Sequence, residues 1–376
     1  MKLEHWMELA CEGGASDVHI RAGLPPKCRT SGSLTALVSE VVTAEECRQM
    51  AEYVAGDRME ELDREGELDL AYTFRNGRRT RINFYYQQGT ISAAIRILSN
   101  VIPALEQLGL PPAVRQFSSF PRGMVIVTGE TGSGKSTTLA AILDEINHSR
   151  HEHIITLEDP IEYVYQPDGC QIDQREIGRD TKSYAAGLRA ALRQDPDVIL
   201  IGEMRDQETI QTALTAAETG HLVFATLHTM SAADAVDRIV DVFSEEKQRQ
   251  VRMQLSMTLQ AVLSQQLLPK ADGTGRVAAC EVMMVNPAIR NLIREGKTPQ
   301  IANVLATSAA EGSISMDNSL LRLVRQRVIT QKTAEGAAAG AGIRQVPLFD
   351  QRSGSGGGSE RPERRRSHSV RNGHLL

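Results

Sequence analysis

Aromatic side chains are scarce, 15 in 376 residues, and long apolar runs are missing. The longest stretch without a charge, Met253 to Pro269, is interrupted by four glutamines, whereas a membrane-spanning helix needs about 20 predominantly apolar residues. No integral membrane segment is expected. The amino terminus, MKLEHWMELACEGG, carries acids and a histidine, where a secretory leader needs a cationic start and an unbroken apolar run. The chain is therefore expected to stay in the cytoplasm. Cysteine is sparse too: Cys11, Cys28, Cys47, Cys170 and Cys280 are odd in number and never closer than 17 positions. That spacing offers neither a CxxC zinc site nor a disulfide framework, and reduced buried thiols are expected.

The net charge of -5 is unevenly spread. Residues 351–376 hold six arginines and two glutamates, a local +4 that leaves -9 for residues 1–350. The acidic body and the shortage of stacking rings disfavour a nucleic-acid groove, which needs cationic tracks and aromatic platforms. The tail, RSGSGGGSERPERRRSHSVRNGHLL, has too few apolar residues to offset its ordering entropy. It is expected to be disordered over 346–376.

Pro103, Gly109, Pro111 and Pro112 cluster between two patterned regions, which marks 102–112 as a linker. Upstream, over 1–101, strand-like alternation at Asp17–Ile20, Leu68–Phe74, Arg81–Tyr86 and Ile91–Ile97, with helical spacing from Ala44 to Leu62, predicts a small α+β domain. Downstream, over 113–345, apolar runs at Met124–Val127, His153–Leu157, Val198–Ile201 and Leu222–Leu227 alternate with helical segments at Ser136–Ser149 and Gln207–Thr219. Such alternation predicts an α/β domain with a mostly parallel sheet covered by helices.

Directly after the first of those runs stands Gly129-Glu130-Thr131-Gly132-Ser133-Gly134-Lys135-Ser136-Thr137, which fits GxxxxGK[ST] at every fixed position. The glycines let successive N–H groups curl around a phosphate, and the following helix turns its positive end to the same anion. ATP with Mg2+ is the expected ligand, with Lys135 at the β- and γ-phosphates and Ser136 on the metal. The strand Val198–Ile201 leads into Gly202 and Glu203. Glu203 stands where a carboxylate polarises the attacking water, although glycine precedes it where an aspartate is usual. Glu158 and Glu162 follow another strand end and are further candidate acids, since carboxyl ends of strands line the crevice of such sheets. His221 and His228 bracket the fourth run and lack the companions that a metal site needs.

Together these segments resemble the secretion ATPase superfamily that powers type II secretion and type IV pili. A P-loop, an acidic "Asp box" with Glu158 and Glu162, an atypical Walker B strand ending at Glu203 and a "His box" with His221 and His228 occur in that family's order within 129–228. Ala15–Ile20 and Gly23–Pro26 resemble the opening of the family's PAS-like N-terminal domain, and the downstream unit corresponds to its RecA-like ATPase domain. The resemblance implies a homo-hexamer with ATP between subunits, completed by a neighbour's arginines at positions matched by Arg81 and Arg96. It also implies phosphate sensing by His221 and His228, and a platform protein of the inner membrane as partner. Pro287–Lys297 resembles the signature of the family's retraction motors, which drive twitching motility, and there Arg290 and Arg294 would couple hydrolysis to retraction. The tetracysteine zinc module of many extension and secretion motors has no counterpart. Asn286 as N-cap, Pro287 at the first position and Gly296 at the end predict a short helix, with Ile289, Leu292 and Ile293 packed down and both arginines on another face. An extension or secretion motor, a RecA-like nucleic-acid translocase and a non-hydrolysing nucleotide-binding regulator are the alternatives.

Overall fold

A computed structural model describes residues 2–30, 32–98 and 101–338. The tail expected over 346–376 and the end of the downstream unit lie outside the described residues. The first sheet has six strands, β1 Asp17–Arg21, β2 Lys27–Thr30, β3 Ser33–Ala36, β4 Glu67–Thr73, β5 Arg79–Gln87 and β6 Thr90–Ile97. Their order is β3-β2-β1-β6-β5-β4 and every neighbouring pair is antiparallel. One face takes the helices Lys2–Glu12 and Ala44–Ala55, which bury Leu3, Trp6, Met7 and Met50 against Ile82, Phe84 and Ile95. The helical pattern from Ala44 to Leu62 is broken at Gly56, with φ 53°, and resumes as Met59–Glu65. Thr43 and Glu46 close the first of these helices with reciprocal capping bonds.

Seven strands form the second sheet: β7 Gly123–Thr128, β8 His153–Glu158, β9 Gln171–Glu176, β10 Val198–Ile201, β11 Leu222–Leu227, β12 Leu259–Pro269 and β13 Arg276–Met284. The order is β13-β12-β7-β11-β10-β8-β9, parallel throughout except for the terminal β12/β13 hairpin. Every residue of β7, β10 and β11 is buried, as central parallel strands covered on both faces must be. The helix Lys135–Ser149 packs on one face with Phe117 and Phe224, while Gln207–Glu218, Ala232–Asp241 and Glu245–Thr258 cover the other. Leu105 is buried in the first of these cores and Ile102, Leu108 and Leu110 pack against it. The segment between the sheets therefore adheres to the second one instead of spanning solvent. All five cysteines are free thiols, four of them buried. Among the described residues no helix is long and apolar enough to cross a membrane.

Candidate active site

The carboxyl end of β7 runs into the glycine-rich loop, and the packing there explains the glycines. A Cβ at Gly129, where φ is 142°, would stand 2.3 Å from the Gln265 carbonyl oxygen and 2.7 Å from Ser133 Oγ. At Gly134 it would meet Gln265 Nε2 at 2.9 Å. Gln265, buried on β12, thus forms the floor of the loop, and its Oε1 accepts from Thr138 Oγ1 at 3.0 Å. Gly134 occupies the N-cap position of the helix Lys135–Ser149 without any side-chain cap. The N–H groups of Lys135, Ser136 and Thr137 consequently make no backbone hydrogen bond among the described residues. Ser133 Oγ is buried without a partner. Open donors, an orphaned hydroxyl and a loop with no room for side chains at Gly129 and Gly134 together fit a phosphate chain.

Lys135 folds over this loop. Its Nζ donates to the carbonyls of Gly129 (2.7 Å) and Glu130 (2.9 Å). Burial lowers its pKa, opposed by the negative charges of Glu203 and Glu162, so the lysine and both acids lie within electrostatic reach of one another. Ser136 is exposed in the first turn, and Glu130, Thr131 and Gly132 form the exposed loop tip. Thr137 Oγ1 and Tyr163 Oη are 2.9 Å apart, a bond that ties the acidic segment after β8 to the loop.

Glu203 follows β10 through Gly202, whose N–H donates to the Leu157 carbonyl. A Cβ at Gly202 would lie 3.0 Å from that oxygen and from Tyr184 Oη, and 3.3 Å from Glu158 Cα. The tight approach of β8 to β10 accounts for glycine at this position. Thr226 Oγ1 donates to the Gly202 carbonyl and Met204 N–H to the Thr226 carbonyl, so the ends of β10 and β11 are stitched together. Thr229 N–H bonds Thr128 Oγ1 at 2.8 Å, which brings the segment after β11 to the strand that precedes the loop. His228 Nε2 then sits 3.5 Å from Glu203 Oε1, and Arg205 Nε sits 2.6 Å from the same oxygen. Burial pushes the Glu203 carboxyl up, but the hydrogen bond and charge of Arg205, with His228 beside it, outweigh burial and hold it below the usual range. Glu158 contrasts with it: burial drives its carboxyl up to about 7, partly offset by hydrogen bonds from Thr156 Oγ1 (2.6 Å) and Gln174 Nε2 (3.1 Å).

Several sequence candidates lie elsewhere. The His221 carbonyl accepts from Gly123 N–H at the entry end of β7, and its Nδ1 lies 2.9 Å from the Ala216 carbonyl. A six-residue strand, roughly 20 Å of chain, separates it from the loop of its own subunit. Arg81 and Arg96 are directly opposed across β5 and β6, exposed on the outer face of the first sheet. Arg96 pairs with Asp17 at 3.1 Å and Arg81 approaches Asp69 at 3.8 Å. The predicted helix forms over Pro287–Glu295 with Asn286 and Gly296 as its caps, and Ile289 and Ile293 are buried. Its arginines, expected to share a solvated face, do not. Arg294 is exposed, whereas Arg290 donates to the Ser256 (2.8 Å) and Met257 (3.2 Å) carbonyls and to Gln260 Oε1 (3.1 Å). It thereby satisfies carbonyls left open at the end of the helix Glu245–Thr258. Arg290→Ala is expected to cost about 1–2 kcal/mol of stability, and Arg294→Ala less than about 0.5 kcal/mol, as read from denaturant midpoints.

Arg205, Gln265 and Arg79 escaped the sequence reading; Arg79 Nη2 donates to Glu176 Oε2 at 2.7 Å. Gln265 and Arg79 act through strands distant in sequence, Arg205 acts on Glu203 two residues before it, and no motif marks any of them. Among the described residues no cluster of three His, Cys, Asp or Glu could hold a metal ion.

Residues 3–342 match the family described as type II/IV secretion system protein. A type IV pilus retraction ATPase, PilT, of Pseudomonas aeruginosa is 43% identical over 339 residues, which cover 90% of this chain and 98% of the relative. A twitching motility protein of Neisseria gonorrhoeae is 48% identical over 314 residues, 83% of this chain and 84% of the relative. The crystal structure of the pilus retraction motor PilT with bound ADP superposes with a TM-score of 0.86 at 45% identity, covering 91% of this chain and 98% of that one.

Proposed function

The chain belongs to the type II/IV secretion system protein family, and from that premise we propose that it is the ATP-hydrolysing motor of type IV pilus retraction. The observation that carries the catalytic half of this proposal is the open phosphate loop with Lys135 folded over it, within electrostatic reach of Glu203 and Glu162, and with Tyr163 bonded to Thr137. Retraction over extension is supported by the near full-length similarity to a retraction ATPase and a twitching motility protein, and by the helix Pro287–Glu295 with its exposed Arg294.

The division of labour follows from the chemistry. The N–H groups of the loop and the first helical turn hold the phosphates, and Lys135 meets the charge that grows on the transferred group. Ser136, with phosphate oxygens, would hold Mg2+, consistent with a metal that keeps most of its water and needs no protein cage. The metal supplies charge neutralisation when bound. Glu203, kept ionised by Arg205 and His228, orients and polarises the attacking water. Arg81 and Arg96, exposed on the outer face of the first sheet, complete the site of a neighbouring subunit in a homo-hexamer. The motor works at the cytoplasmic face of the inner membrane on a platform protein, with an N-terminal unit over 1–101, a linker over 102–112 and an ATPase unit over 113–345.

Cells that lack this chain are expected to carry pili but to lose retraction, as seen by imaging labelled fibres. Wild-type chain should restore it and Lys135→Ala should not. Cells with no pili at all would favour the extension motor instead.

A further inference from the structure

Arg79 opens β5 two residues before Arg81, so the pleat puts both on one face of the first sheet. Its guanidinium nevertheless ends in the second. Nε donates to the Ile161 carbonyl at 2.7 Å and Nη2 to Glu176 Oε2 at 2.7 Å. The same carboxylate oxygen accepts the Ile161 N–H at 3.1 Å. Arginine, the Ile161 peptide and Glu176 therefore close a ring of three hydrogen bonds. The pair is nearly enclosed, with side chains 12% and 8% exposed, unlike the solvated pairs of Arg81 and Arg96.

The ring lies at a decisive place. Glu176 ends β9 as the register partner of Glu158 at the end of β8, and Ile177 N–H donates to the Glu158 carbonyl at 2.8 Å. Ile161 stands midway between Glu158 and Tyr163, whose hydroxyl reaches Thr137 of the phosphate loop. Glu162, the next residue, acts on Lys135. Arg79 itself acts electrostatically on Glu158. A residue of the N-terminal sheet thus grips the segment that carries two candidate acids and a contact to the phosphate loop.

We propose that Arg79 is a positioning residue that locks segment 158–163 against β9 and makes the geometry of the nucleotide site depend on where the N-terminal sheet sits. This inference rests on the assignment of that segment to the ATP site. Arg79 then acts within its own subunit, while Arg81, one pleat further along the same strand, serves the neighbour, so one strand would report on both sites. Lysine cannot reproduce the grip, because only a planar fork spans a carbonyl and a carboxylate at once.

The test uses full-length protein carrying Arg79→Ala, Arg79→Lys, Glu176→Gln or Arg79→Ala with Glu176→Gln, beside Lys135→Ala. Assembly state and circular dichroism are checked first. For Arg79→Ala, kcat is expected to fall about 10- to 100-fold with KM for ATP changed less than about 3-fold. Amide exchange should quicken in peptides covering 159–165 but not in those covering 129–137. Arg79→Lys should recover only part of kcat. Glu176→Gln keeps an acceptor for the Ile161 N–H yet removes the charge that Arg79 grips, so it should lower kcat as well, and the double variant should fall no further than Arg79→Ala alone. Faster exchange at 159–165 with wild-type kcat would overturn the proposal, since the grip would then be structural only. Unchanged exchange and unchanged kcat would overturn it also. If Arg79→Ala does not fold, Arg79→Lys and Glu176→Gln decide by the same two readouts. Wild-type hydrolysis in Lys135→Ala would overturn the assignment of the site and the proposal with it. Wild-type turnover in Arg79→Ala beside an inactive Lys135→Ala would overturn the positioning role alone.

Discussion

Lys135→Ala is expected to lower ATP turnover by about two to three orders of magnitude, the scale seen when one fixed charge or donor at a transition state is removed. Its ammonium is the one cation folded over the glycine loop among the described residues of the site, held by the Gly129 and Glu130 carbonyls. Without it, Glu203 and Glu162 lose the charge that both act on, and a phosphate chain would meet their negative charge without the lysine between them. The fold should persist, because the lost bonds go to a loop whose tip is exposed and open to water. Phosphate release measured against a thermal melt separates the two effects. If neighbouring subunits share sites, mixing Lys135→Ala with Arg96→Ala subunits should restore part of the activity, since some interfaces then combine an intact loop with an intact arginine. Should co-assembled mixtures never exceed either variant alone, Arg96 does not act in trans.

Glu203→Gln is expected to bind ATP and fail to turn it over, with a loss of about a hundredfold or more. The amide keeps the shape but neither carries the charge that Arg205 and His228 gather around nor accepts a proton. Single-turnover kinetics with radiolabelled ATP should show a trapped substrate complex. The environment of Glu203 makes it a weak base, because Arg205, with His228 beside it, holds its carboxyl low against the pull of burial. Glu158, raised by burial to about 7, is nearer the basicity that proton transfer at neutral pH favours. The pH profile therefore discriminates. A carboxyl near 7 that must be ionised makes the rate fall as pH drops below about 7, whereas a rate that depends on Glu203 alone stays flat there. Full turnover in Glu203→Gln with a decline below pH 7 would move the role to Glu158.

How much was legible follows from how local each signal is. The phosphate loop could be read because its glycines, lysine and flanking strand are contiguous, and β7, β8, β10 and β11 because buried parallel strands are continuous apolar runs. The helix Pro287–Glu295 was legible to its caps, since capping chemistry is local. Its Arg290 was not, because the carbonyls that it satisfies belong to a helix some thirty residues earlier. β12 and β13 were missed: β12 continues directly from a helix with no turn residue between Thr258 and Leu259, so no punctuation marks the change. The helix Lys2–Glu12 and strands β2 and β3 were missed too, the strands being only four residues each. Gln265 as floor of the loop and Arg79 as a bridge between sheets depend on strand order, which alternation cannot encode. His221 shows the converse limit. It shares a segment with His228, but a buried strand puts the two at opposite ends of β11.

The crowding at Gly202 also constrains what this sequence can become. A single nucleotide change can convert a glycine codon to one for aspartate or alanine, yet every such step puts a carbon against the Leu157 carbonyl and the Tyr184 hydroxyl, and the carbonyl cannot retreat without loosening the β8–β10 pairing. A second acid at this strand end is thus separated from the present chain by an intermediate with damaged packing, to be crossed only with compensating changes at β8 or at Tyr184. Among descendants of this chain, acidity around the phosphates should drift more readily along the segment after β8, where side chains already have room, than at position 202.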